Sequence, residues 1–83
     1  SYDEKMVQDK NKKFNKKLKE FKKFIESNTE DVGKNFTEEA KKIYYGEKKS
    51  RPIRGETTKE QAEELIEEGI PIAKLPWSSR EDA

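Results

Sequence analysis

The sequence predicts an all-α protein, and three observations carry that expectation. Apolar residues recur at helical spacing along the first third of the chain. Threonine and glycine punctuate the later segments as helix starts and stops do. Only two short stretches, each containing proline, read as extended. The expected architecture is a long N-terminal helix, a second helix forming a hairpin with it, a short third helix, and a C-terminal extended arm over a marginal core. Divided by residue number, 1–46 is the helical hairpin, 47–56 a basic connector, 57–77 the third helix plus arm, and 78–83 a tail, all within one small domain.

The first helix is expected over residues 3–27. Val7, Phe14, Leu18, Phe21 and Ile25 fall 7, 4, 3 and 4 residues apart, which at 100° per residue makes one narrow apolar stripe. Lys5, Lys12, Lys16, Lys19 and Lys23 repeat at the same intervals and line roughly the opposite side. Twenty-five residues make roughly 37 Å of helix, whereas a compact chain of this length has a radius of gyration near 12 Å. The helix outruns any globule that could cover it. Asn11 continues the stripe, but fewer than three good heptads are too short to define a coiled coil.

A second helix is expected to begin at Asn35, where Asn35 and Glu38 have capping-box spacing, and to stop at Gly46. Val32, Phe36, Ala40, Ile43 and Tyr44 give it an apolar face, with Phe21, Phe24 and Ile25 of the first helix expected opposite Val32 and Phe36. The connector 47–56 gathers Lys48, Lys49, Arg51 and Arg54. Pro52 and Gly55 exclude regular helix there, and residues 51–54 suit a short extended segment. The third helix starts at Thr57, three residues before Glu60, and closes at Gly69. Ala62, Leu65 and Ile66 are its only apolar residues. Residues 70–77 then concentrate Ile70, Ile72, Leu75 and Trp77 around two prolines, an extended arm.

Composition excludes whole classes of function. The chain has 83 residues, of which 45% are charged and only 15 are Leu, Ile, Val or Phe, so its core is thin. It has no cysteine and no histidine, which removes disulfides, thiol or histidine-activated nucleophiles, and the common transition-metal sites. The four glycines form neither a phosphate-cradling loop nor a dinucleotide fingerprint. No cofactor and no enzyme activity are expected. No apolar run reaches membrane-span length, which leads to an expectation of a soluble, cytoplasmic protein.

The net charge of +1 conceals segregated blocks. Residues 1–27 carry nine lysines against five acids, and residues 56–69 carry one lysine against six glutamates. Such blocks steer charged partners or pair with one another. The expected function is therefore a non-catalytic protein-interaction module: an accessory subunit, adaptor, or inhibitor of antitoxin type. It would bind another protein, or itself as a homodimer or larger assembly, through Val7, Phe14, Leu18 and Phe21 and through Ile70, Ile72, Leu75 and Trp77 of the arm. The alternative is nucleic-acid binding of low sequence specificity, with phosphates met by Lys5, Lys12, Lys16, Lys19, Lys23, Lys48, Lys49, Arg51 and Arg54. A membrane-surface helix ranks last, because the apolar stripe is better used in packing.

Overall fold

The computed structural model describes residues 2–77, with side chains from residue 8 onward. The expected contacts of Val7 and Lys5, and the tail 78–83, lie outside the described residues. The chain is predominantly helical, with one small parallel sheet. Its order is α1 (Tyr2–Asn28), β1 (Glu30–Asp31), a 3-10 turn (Gly33–Asn35), α2 (Phe36–Tyr44), β2 (Ile53–Arg54) and α3 (Lys59–Glu67).

α1 stops where its own polar side chains take the last carbonyls. Asn28 Nδ2 donates to Phe24 O at 2.7 Å and Thr29 Oγ1 to Ile25 O at 2.6 Å, satisfying acceptors that a helix end leaves open. Asp31 Oδ1 then accepts from Gly33 N at 2.9 Å, and Gly33 takes a φ of 55°, turning the chain into α2. Phe36 N–H donates to Gly33 O and Asn35 N to Val32 O. Because these 3-10 bonds serve the start of α2, the expected Asn35 side-chain cap is not made.

Both later helix ends are built alike. Gly46, with φ 78°, donates to Ile43 O, and Glu47 N donates to Lys42 O at 2.7 Å. Gly69, with φ 80°, donates to Ile66 O, and Ile70 N donates to Leu65 O at 2.9 Å. This is the Schellman pattern that a left-handed glycine permits, and at the second site it carries Ile70 back beside Leu65. The α3 capping box is present but one residue later than expected. Gln61 N donates to Thr58 Oγ1, and Thr58 N to Gln61 Oε1, each at 3.0 Å. The sequence offers both Thr57 with Glu60 and Thr58 with Gln61, and spacing alone does not separate them.

The strands correct the all-α expectation. β1 pairs with β2 in parallel, Glu30 opposite Ile53 and Asp31 opposite Arg54. Glu30 N donates to Pro52 O, Val32 N to Arg54 O and Glu56 N to Gly33 O. Pro52 supplies only a carbonyl here, so its missing N–H costs nothing. Parallel strands require a crossover, and α2 with its following loop is that crossover.

The core lies away from α1. Leu65 is fully buried, Ala40 and Ile70 nearly so, and Phe36, Ile53 and Ile72 pack against them. α2 is therefore covered by α3, β2 and the start of the arm. The expected α1–α2 hairpin is not what builds this core: residues 29–33 serve the sheet and turn, and the cluster around Leu65 includes no residue of α1. Trp77 returns to α1, its ring meeting Phe21 edge-on with centroids 5.6 Å apart. The arm folds back on its own chain. The radius of gyration is 16.8 Å and the extents are 57 × 26 × 25 Å, well beyond the compact expectation, because the N-terminal turns of α1 project.

Candidate interaction surface on α1

Two sides of α1 differ sharply. Leu18, Lys22 and Ile25 are half-buried, while Phe14, Phe21 and Phe24 are 64%, 45% and 61% exposed. At 100° per residue, Phe14, Phe21, Lys10, Lys17, Phe24 and Lys13 span about 100° of the helix. The free face is thus a mixed strip of phenylalanine and lysine, offset from the expected stripe. Phe24 lies off the seven-residue pattern, about 120° from Leu18, and reads from sequence as extra buried surface. Its exposure places it in the candidate site instead.

The lysines of α1 from Lys10 onward stay uncompensated among the described residues. Those at positions 10, 12, 13, 16, 17, 19, 22 and 23 make no ion pair among the described residues. Lys12, Lys16, Lys19 and Lys23 are all exposed on the side away from Phe14. The sequence expectation of a basic edge therefore corresponds to free ammonium groups.

The basic connector is different, because most of its cations already have partners within the chain. Lys48 Nζ lies 2.8 Å from Glu39 Oε2, Arg51 Nη2 3.0 Å from Glu39 Oε1, and Arg51 Nε 2.9 Å from Glu30 Oε1. Arg54 Nη1 donates to Thr29 O at 2.9 Å, Thr29 Oγ1 at 2.7 Å and Glu26 O at 3.3 Å. It sets a cation at the C-terminus of α1, which has no basic residue in its own last turn and where a positive charge is favoured by the helix dipole. Lys49 alone of the four stays exposed without such a bond among the described residues. The acids that neutralise the connector come from β1 and α2 rather than from α3. Glu64 of α3 and its C-cap Glu68 meet Lys41, and Glu68 also accepts from Tyr45 Oη at 2.7 Å.

These pairings move the titrations. The Lys48 hydrogen bond, then that of Arg51, hold the Glu39 carboxyl below its ordinary 4.5. Arg51 does the same for Glu30, and Tyr45, then Lys41, for Glu68. Hydrogen bonds to Glu64 and Glu68 raise Lys41 above 10.5. A depressed carboxylate stabilises the fold fully above its unfolded-state value and ceases to do so as pH falls through the folded one. A raised lysine does so fully below its unfolded value and loses the effect above it. The melting temperature is expected to be level from about pH 6 to 9 and to fall below about pH 4.5. Glu39→Gln should lower the plateau and flatten the acid limb; an acid limb of unchanged steepness would remove Glu39 from that role.

Of the residues expected at a protein interface, Phe14 and Phe21 reach the free face. Leu18 turns partly inward, Ile70 and Ile72 belong to the core, and Leu75 is half-buried. Trp77 shares its ring with Phe21. Ile70 is buried in the core and Ile72 packs against it while remaining partly exposed. No group of three or more His, Cys, Asp or Glu side chains is placed to hold a metal ion among the described residues. No helix among them is long and apolar enough to cross a membrane.

Comparison with known proteins gives a family and no activity. Residues 1–80 match the model of the family described as Protein of unknown function (DUF1178). The chain belongs to that family. No curated protein and no solved structure matches this member, so its surface must be read from its own chemistry.

Proposed function

We propose that this family member is a non-catalytic protein-interaction module that binds through the free face of α1. The observation that carries this reading is the exposure of Phe14, Phe21 and Phe24 on one projecting helix. A single exposed phenylalanine is unremarkable, but three on one face leave apolar surface that a thin-cored chain would otherwise bury. An amphipathic helix of this kind suits docking in a groove or against another helix. An accessory subunit, an adaptor and an inhibitor would all use such a face, with Trp77 behind Phe21 as its backing. The uncompensated lysines support nucleic-acid binding as a second reading.

Recovery of bound proteins from the native cell, comparing wild type with Phe14→Ser and Phe24→Ser, tests the first reading. Both substitutions are at exposed positions, so folding should persist while partners are lost. Equal recovery of the same partners by all three chains would sink it. Titration with duplex DNA and RNA at about 50 and 500 mM salt tests the second; it requires binding at low salt that weakens steeply at high salt.

A further inference from the structure

α1 is not the only charged face left without a counterpart. On α3, Ile66 is 63% exposed although its neighbour Leu65 is fully buried. It lies about 100° round the helix from Leu65, toward Glu60, Glu63 and Glu67. Those three glutamates are exposed and make no ion pair or hydrogen bond with any described residue. Glu64 and the capping residue Glu68 continue this acidic arc round the helix and are paired with Lys41. α3 thus presents an apolar side chain beside free carboxylates, with the Lys59 ammonium of its first turn on the same side as Ile66. α1 presents apolar side chains between free ammonium groups, Phe14 having Lys10 four residues before it and Lys17 three residues after it. Residues at those intervals are neighbours on a helix surface.

We propose that these two faces recognise each other between two copies of the chain. α1 of one copy lies across α3 of the second, and the second copy returns the same contact, as two-fold symmetry requires. This deepens the interaction reading and rests on it: the partner is the chain itself. Charge selects this pairing. Two α1 helices side by side would oppose nine lysines to nine, and two α3 helices would oppose glutamate to glutamate, each unfavourable. α1 against α3 pairs the most basic block of the chain with the most acidic. The dimensions agree. The long extent exceeds the others by about 30 Å, whereas nine residues of α3 rise about 14 Å, so the projecting part of α1 is long enough to cross it.

Sedimentation equilibrium of the full chain tests this. At about 50 mM salt the wild type should approach twice its 9.8 kDa as concentration rises, and return toward 9.8 kDa at about 500 mM. The triple variant Lys10→Glu, Lys13→Glu, Lys17→Glu and the triple variant Glu60→Lys, Glu63→Lys, Glu67→Lys should each weaken self-association at least about tenfold. Mixed together, they should restore the doubled mass. Phe14→Ser and Ile66→Ser, which alter no charge, should weaken it as well. A wild type that stays at 9.8 kDa at every concentration overturns the proposal, as does a pair of charge variants that fails to complement. A persistent monomer that binds a polyglutamate peptide, duplex DNA or anionic lipid vesicles also overturns self-pairing. Of these, the peptide result leaves the protein-interaction reading standing, so the two failures are distinguishable.

Discussion

Replacing Leu65 with alanine should unfold the domain built from α2, β2 and α3. Leu65 is the one large side chain that is completely buried among the described residues. Its removal deletes the group onto which Ala40, Ile70, Phe36, Ile53 and Ile72 pack. Leucine-to-alanine changes at such positions cost about 3 to 4 kcal/mol, part from lost transfer energy and part from the cavity. A domain this small rarely holds more than about 3 to 5 kcal/mol in all, so the loss approaches the whole. Chemical denaturation followed by Trp77 fluorescence is the suitable measurement. Trp77 rests on Phe21 only while the arm, anchored at Ile70, stays folded back. A variant whose midpoint shifts by less than about 1 kcal/mol equivalent would place the core elsewhere. The neighbouring control is Thr37→Val. Thr37 Oγ1 is buried with no hydrogen-bond partner, so removing its hydroxyl should leave stability unchanged or raise it.

The same residue shows what periodicity conveys and what it omits. Helical spacing placed α1 within a residue of its observed ends at both termini, and glycine placed both helix stops, because these signals are local. The partner of each face is a non-local fact. Phe14, Leu18 and Phe21 make a better apolar stripe than anything in α3, yet Leu65, with few apolar neighbours in sequence, is the centre of the core. It gains that position because Gly69 turns Ile70 back onto it and α2 lays Ala40 alongside. β1 was unreadable for a related reason. Its two residues are Glu30 and Asp31, which carry no strand preference and pair only because β2 runs beside them. Phe24, expected opposite Val32 and Phe36, is exposed instead, because sequence does not show which neighbour covers a helix face. The connector was read as a basic patch because sequence shows charges and not their partners. Arg51 and Arg54 are 21 and 25 residues from Glu30 and Thr29, which they meet.

Gly55→Ala is expected to have the second largest effect, although no backbone strain requires glycine there. Gly33, Gly46 and Gly69 have positive φ, and Gly55 does not. What demands glycine at 55 is proximity. A Cβ there would overlap Gly33 O, lie 2.9 Å from Phe36 Cβ and 3.2 Å from Gly33 N. The first and last of these are backbone atoms, so no rotamer change relieves the overlap. Gly33 O is also committed, since it accepts from both Phe36 N–H and Glu56 N. Moving it therefore breaks the junction that joins β2 to the start of α2. Overpacking of this kind costs about 1 to 3 kcal/mol, and a lost hydrogen bond adds about 1. Gly33→Ala supplies the comparison. Its Cβ would meet nothing within 4 Å, so the only cost is the left-handed backbone, about 1 to 2 kcal/mol, and Gly33→Asn should cost less still because asparagine tolerates that region. The expected order of destabilisation is Gly55→Ala, then Gly33→Ala, then Gly33→Asn, read by denaturant midpoints. The reverse order would mean that turn conformation, rather than the close approach of β2 to the 3-10 turn, holds this part of the fold together. That junction continues the β1–β2 pairing, whose Arg54 side chain also holds the end of α1 through Glu26 O and Thr29 O.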